Sequence, residues 1–140
     1  MVIDLGNLGE QYVLTSLATL LSALAIFFGM ANMGKNRAKH GVQAPSVDGP
    51  EEFQRAFRAH MNTVEQAIMF LPCMWVLASF TGDQWAGIIG IVWAVSRILY
   101  IVTYSKDASK RGIWFMIGFL AFAATFLWGL GIVLMKLLGI

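Results

Sequence analysis

The sequence predicts an all-α integral membrane protein, a bundle of four spanning helices, and three observations carry that prediction. Of its 140 residues 58% are hydrophobic and only 13% charged, and the mean hydropathy is +0.68, a balance that excludes an ordinary soluble domain. Four apolar stretches, approximately 11–33, 54–80, 84–104 and 112–138, each approach or exceed the ~20 residues a spanning helix needs. Little chain lies outside them, so residues 1–140 read as one domain without a separate soluble catalytic module.

The first stretch begins with Asp4 and Glu10 where a cleaved leader would carry basic residues, and its apolar run exceeds the about 7 to 15 residues of a signal core. It is therefore expected to be retained. Its segment YVLTSLATLLSALAIFFGMANM has no charge before Lys35 and suits packing or lipid contact. The next segment, GKNRAKHGVQAPSVDGPEEF, is polar, holds Gly34, Gly41, Gly49, Pro45 and Pro50, and reads as a functional loop of about 20 residues. Asp48 or Gly49 is the expected N-cap of the second helix and Pro50 its first-turn residue, with Glu51 and Glu52 near the positive end of the helix dipole.

The second helix is amphipathic in its first half and apolar in its second, where Pro72 predicts a kink. A turn from Phe80 to Gln84 leads to the third helix, whose Gly87, Gly90 and Ala94 offer small faces for close helix contact. The fourth, GIWFMIGFLAFAATFLWGLGIVLMKLL, carries no acidic residue. The lone Cys73 lies inside a spanning segment and reads as a small hydrophobe without a disulfide partner.

Charge placement sets the expected topology. Lys35, Arg37, Lys39, Arg55 and Arg58 surround the first connection, and Lys106, Lys110 and Arg111 the third. The N-terminus carries Asp4 and Glu10 and the second connection Asp83, with Lys136 the exception at the C-terminal end. Basic loops stay cytoplasmic, which puts the first and third connections in the cytoplasm and both termini on the opposite side.

The chemistry concentrates in RAFRAHMNTVEQ. Arg55, Arg58, Asn62 and Glu65 stand at i, i+3, i+7 and i+10, so they share one helix face. The third helix adds Arg97, Tyr100 and Tyr104 at i, i+3 and i+7. Arg97 lies about two turns inside the helix end, where an unpaired charge costs on the order of 2.5 to 3.5 kcal/mol, and Glu65 is its candidate ion-pair partner. Interfacial anchoring is the competing reading of the tyrosines. His40 and His60 lack metal-ligand spacing with each other or with Cys73, so no metal is expected, and no phosphate loop, CxxC pair or HExxH motif is present. Several arginines, one glutamate, an asparagine and tyrosines suit a small anion with carboxylates and one amine. An arginine near a thiol would favour the thiolate. Glutathione carries all these groups and is one of several anionic ligands the chemistry allows.

The segment GPEEFQRAFRAHMNTVEQ, together with RILYIVTYSKDASKR, resembles the MAPEG family, the membrane-associated proteins in eicosanoid and glutathione metabolism, over nearly the whole chain. The resemblance implies a homotrimer with its sites between subunits, in which Arg58, His60, Asn62 and Glu65 of the second helix bind glutathione. It adds Arg97, Tyr100 and Tyr104 from the third helix and Arg37 from the end of the first, and it gives Arg111 the role of activating the thiol. Arg55 belongs to the same expected binding set. Two features depart from the family pattern: the proline follows the motif glutamate late, at Pro72, and Arg37 is followed by Ala38 in place of a second arginine.

The expected activity is that of a glutathione transferase, with peroxidase activity in addition, conjugating hydrophobic electrophiles. Its expected partners are copies of itself, membrane lipids, glutathione and the electrophile, with no nucleic acid and no metal. The short, compact chain without a retrieval tail suggests a bacterial inner membrane. A non-catalytic lipid-binding member of the same fold and a small four-helix transporter are the alternatives. The complete Arg, Asn, Glu and Tyr set argues against the first. The position of Glu65 among arginines argues against the second.

Overall fold

The computed structural model describes residues 7–140; Asp4, used above in the leader and topology arguments, lies outside the described residues. A one-turn helix α1 (Leu8–Gln11) precedes four long helices, α2 (Val13–His40), α3 (Glu51–Thr81), α4 (Asp83–Lys106) and α5 (Gly112–Leu138), with a 3₁₀ turn at Ala108–Arg111. All four long helices are apolar enough to cross a membrane, and no strand occurs among the described residues. α3 and α4 form the centre of the bundle, with α2 against both on one side and α5 against both on the other.

α2, α3 and α4 run past the expected limits at one end or both, because polar sequence beyond the bilayer propagates a helix already nucleated within it, whereas α5 spans the expected 112–138. α2 continues through the basic segment to His40, where Gly41 at φ 65° closes it and Arg37, Lys39 and His40 sit favourably at the negative end of its dipole. The first connection is therefore only residues 41–50, half the expected length. Its brevity is fixed by ties across it: Arg37 Nη1 donates to the carbonyls of Val42 (3.2 Å) and Ser46 (2.7 Å), and Lys39 and His40 both contact the Glu52 carboxylate. Pro50, placed inside the first turn by sequence, is instead the N-cap residue, without a side-chain capping bond. Pro72 sits within an unbroken α3.

The second connection contracts to a single residue. Gly82 holds φ 84°, a conformation glycine adopts without a Cβ penalty, and α4 starts at once. This places the Asp83 carboxylate over the start of α2, where it accepts the Leu14 amide (2.8 Å) and the Thr15 amide (2.7 Å). These are two of the four N–H groups that a helix N-terminus leaves unpaired. Asp83 thus caps another helix from across the bundle. Just beyond, a Cβ on Gly87 would lie 2.8 Å from the Leu14 carbonyl carbon and one on Gly90 2.6 Å from the Ala18 Cβ, so α2 and α4 meet through the small faces that the sequence offers.

The core is divided by chemistry. Phe70 stacks on Trp93 (4.8 Å between centroids, 10° between planes) within a buried apolar cluster that includes Met74, Leu77, Ala86 and Ala94. Nearer the end bearing residues 41–50 and 107–111, hereafter the basic end, the α3/α4 seam turns polar. Asp83→Ala should lower the thermal stability of the detergent-solubilised protein by about 1 kcal/mol, the usual cost of a lost N-cap. It should also speed hydrogen exchange at the Leu14 and Thr15 amides, whereas unchanged exchange there would show that the cap is idle.

Candidate functional site

The polar seam is a ladder between two antiparallel helices, each rung pairing a residue further along α3 with one further back on α4. Gln66 Oε1 accepts from Trp93 Nε1 at 3.0 Å, Thr63 Oγ1 accepts from Arg97 Nε (3.3 Å) and Nη2 (3.1 Å), and Asn62 Nδ2 donates to the Tyr100 hydroxyl at 2.8 Å. Arg97 is 0% exposed and its guanidinium carbon lies 3.9 Å from the centroid of the Tyr100 ring. Its charge is met by a hydroxyl and a π face, since no ion pair joins it to Glu65 among the described residues. The expected Arg97–Glu65 pair is therefore replaced by Arg97–Thr63 and Arg97–Tyr100. The reason is rotational: Thr63 faces the α4 seam and is buried, whereas Glu65, two residues on and 200° around α3, faces outward and is exposed.

From Tyr100 the ladder continues to the basic end. The Tyr104 ring lies 5.4 Å from that of Tyr100, and the Arg111 guanidinium lies 4.8 Å from the Tyr104 ring centroid. Arg111 reaches Tyr104 because the 3₁₀ turn folds residues 108–111 back over the end of α4. This turn is fixed by Asp107, whose carboxylate accepts the Ser109 amide at 2.9 Å and hydroxyl at 2.7 Å. Those bonds hold the Asp107 carboxyl below the usual carboxylate range. Asn62, Tyr100, Tyr104 and Arg111 therefore form one connected group, with Arg97 behind it.

Asn62, Glu65 and Met69 of α3 also line a cavity of about 410 Å³ between α3 and α5, whose other wall is Phe115, Phe119 and Phe122. Further along the same pair of helices a second, apolar cavity of about 230 Å³ is lined by Pro72, Cys73, Val76, Thr125 and Phe126 among others. Along the α3/α5 seam a polar, cation-backed cavity is thus followed by an apolar trough. Arg58 is exposed on the same face of α3 as Asn62 and Glu65.

Three of the expected residues lie elsewhere. Arg37 is held by the connecting loop, as described, with its guanidinium 5.2 Å from the Phe53 ring centroid. Arg55 Nη1 pairs with Glu51 at 2.6 Å and Arg55 Nε donates to the Ser105 carbonyl at 3.3 Å, so it ties α3 to the end of α4. His60 turns toward α2, where a Cβ on Gly29 would meet its Nδ1 at 3.1 Å. Sequence reasoning missed Thr63, Gln66 and Trp93, which hold the ladder. Their signal was available in the spacing of Thr63, Gln66 and Phe70 along one buried stripe of α3.

Fold and site together define a multi-pass, four-helix integral membrane protein with a polar pocket at one end of an apolar trough. The chain matches the model of the MAPEG family over residues 15–131, and it belongs to that family. It is 39% identical over 109 residues to the uncharacterized protein sll1147 of Synechocystis sp., covering 78% of this chain and 77% of that one. It is 35% identical over 122 residues to microsomal glutathione S-transferase 2 of Homo sapiens (86% and 82% covered). Against leukotriene C4 synthase of Rattus norvegicus the identity is 32% over 103 residues (73% and 68% covered).

Arg97 Nη1 is buried without a hydrogen-bond partner among the described residues, an arrangement that costs about 1 to 3 kcal/mol. Thr63 keeps its own bond to the Ala59 carbonyl (2.8 Å) whether or not the arginine is there. Arg97→Met, similar in length and apolar, should therefore leave thermal stability in detergent unchanged or raise it by about 1 kcal/mol. A clear fall in the melting midpoint would mean that the guanidinium is a net stabiliser.

Proposed function

We propose that this protein is a membrane-embedded glutathione transferase that attacks lipophilic electrophiles with the glutathione thiolate. The single observation that carries the reading is the junction of two chemistries in one groove. Asn62 and Glu65 stand in the same cavity as Phe115 and Phe119, and Asn62 is bonded to Tyr100. A hydrophilic peptide fits the first end and an apolar molecule arriving from the bilayer fits the second. One of the relatives is named a glutathione S-transferase, which supports the same co-substrate.

In this reading Glu65 holds the glutathione ammonium, Arg58 a carboxylate, and Asn62 and Tyr100 supply amide and hydroxyl hydrogen bonds. Arg111, free to leave the Tyr104 ring because it is exposed, sets the charged group beside the thiol. The thiolate sulfur forms the carbon–sulfur bond while the electrophile's broken bond takes its electron pair onto the leaving atom. Reduction of lipid hydroperoxides is the proposed second use of the same thiolate.

Arg37 and His60 stand on the α2 side of α3, away from Asn62 and Tyr100. A single chain therefore leaves the expected binding set divided, and a site between neighbouring subunits of a homotrimer would reunite it. The basic end is proposed to face the cytoplasm of a bacterial inner membrane. Cysteines placed singly at Lys39 and Lys110, in a Cys73→Ala background, should resist an impermeant thiol reagent in intact cells, and labelling of both would invert the topology.

Two variants test the chemistry. Glu65→Gln should weaken glutathione binding, measured by calorimetry in detergent, because the ammonium loses its only carboxylate. Arg111→Ala should bind glutathione nearly as the parent does, yet lose thiolate absorbance in the ultraviolet at neutral pH and regain conjugation rate as pH rises. Each tenfold loss of thiolate corresponds to about 1.4 kcal/mol. Undiminished affinity in the first, or an unchanged thiolate signal in the second, would remove the corresponding role.

A further inference from the structure

A second polar cavity lies on the other side of the bundle from the trough between α3 and α5. It measures about 390 Å³ and opens between α2 and α4 at the basic end, lined by Lys35, Lys39, Lys106 and the acidic Glu52 above and by Phe28, Ile101 and Val102 below. None of the residues assigned to glutathione lines it. The hydrogen bond from Asn32 Nδ2 to Ser105 Oγ (2.8 Å) clasps the two helices together here, and Asn36 Nδ2 is spent on the Asn32 carbonyl at 2.9 Å. Lys39 is likewise committed, with Glu52 Oε1 and Oε2 each at 2.8 Å. Lys35 and Lys106 are exposed and enter no ion pair among the described residues. Lys35 lines the cavity from α2 and Lys106 from α4.

We propose that this cavity binds one anionic phospholipid, with its phosphate between Lys35 and Lys106 and an acyl chain along Phe28, Ile101 and Val102. The polarity gradient selects an amphiphile. Phe28 lies seven residues before Lys35 on α2, about 10 Å along the helix axis, which spans the step from headgroup to upper acyl chain. The two uncommitted ammonium groups select a negative headgroup, as basic pockets between spanning helices do. Glu52 does not oppose this, because its charge is already met by Lys39 and His40. A small free anion would leave Phe28 and Val102 uncovered, whereas a bilayer lipid reaches them sideways.

Native mass spectrometry of the full-length protein in detergent, titrated with phosphatidylglycerol and separately with phosphatidylcholine, tests the site. The parent should retain one phosphatidylglycerol per chain in preference to phosphatidylcholine. Lys35→Gln combined with Lys106→Gln should weaken that retention about 10- to 30-fold, whereas Lys136→Gln, at the other end of α5, should not. Val102→Phe keeps every charge and fills the apolar floor, so it should also lose the lipid, while glutathione binding stays at the parental level in all these variants. Equal retention of the two lipids, parental retention in the double lysine variant, or parental retention in Val102→Phe would overturn the proposal. So would displacement of phosphatidylglycerol by glutathione, since the cavity would then belong to the glutathione site.

Discussion

The buried guanidinium of Arg97 is the constraint around which the bundle is arranged. A positive charge held inside a spanning helix, fully out of contact with solvent, must be met by groups that the fold itself supplies. Thr63 gives a hydroxyl oxygen, Tyr100 the face of its ring, and both have to stand at one level of the α3/α4 seam. The register of the two central helices brings them there. Gln66 and Trp93 one turn inward, and Asn62 next to Thr63 with Tyr100 one turn beyond Arg97, then pair as consequences of the same alignment. α5 follows: a Cβ on Gly118 would come within 3.3 Å of Arg97 Cδ and 3.1 Å of Gln66 Oε1, so the helix packs tightly over the ladder at this glycine.

The two ends of the bundle are fastened by different means. At the end holding Gly82, one carboxylate and one glycine suffice, because a single-residue connection brings Asp83 directly beneath the free amides of α2. At the basic end the fastenings are spread over many exposed and half-buried polar groups: Arg37 on loop carbonyls, Arg55 between Glu51 and Ser105, and Lys39 and His40 on Glu52. Exposed ion pairs of this kind contribute little each, so this end is held by the sum of many weak ties.

Polar pocket and apolar trough meet because α3 is two helices in composition. Its first half, RAFRAHMNTVEQ, carries the charges, and its second half lies beside α5 among aromatic and aliphatic side chains. In a bilayer the outward apolar faces that would be a liability in water lie against lipid. The cationic cavity between α2 and α4 applies the same combination of charge above and hydrocarbon below on a separate face.

The sequence by itself determined the fold class, the four spanning helices and the face shared by Arg58, Asn62 and Glu65, since hydrophobic length and the 3.6-residue period are local properties. It also carried the two motif segments that place the chain in its family. Only the tertiary structure decided what Arg97 pairs with, that Asp83 caps α2, that Arg37 and Arg55 tie the chain to itself, and that His60 turns away from Asn62. Those outcomes depend on the register and rotation of helices against one another, which packing settles among several arrangements that the periodicity leaves equal. A charge pattern shows which groups need partners, and three-dimensional proximity selects the partners.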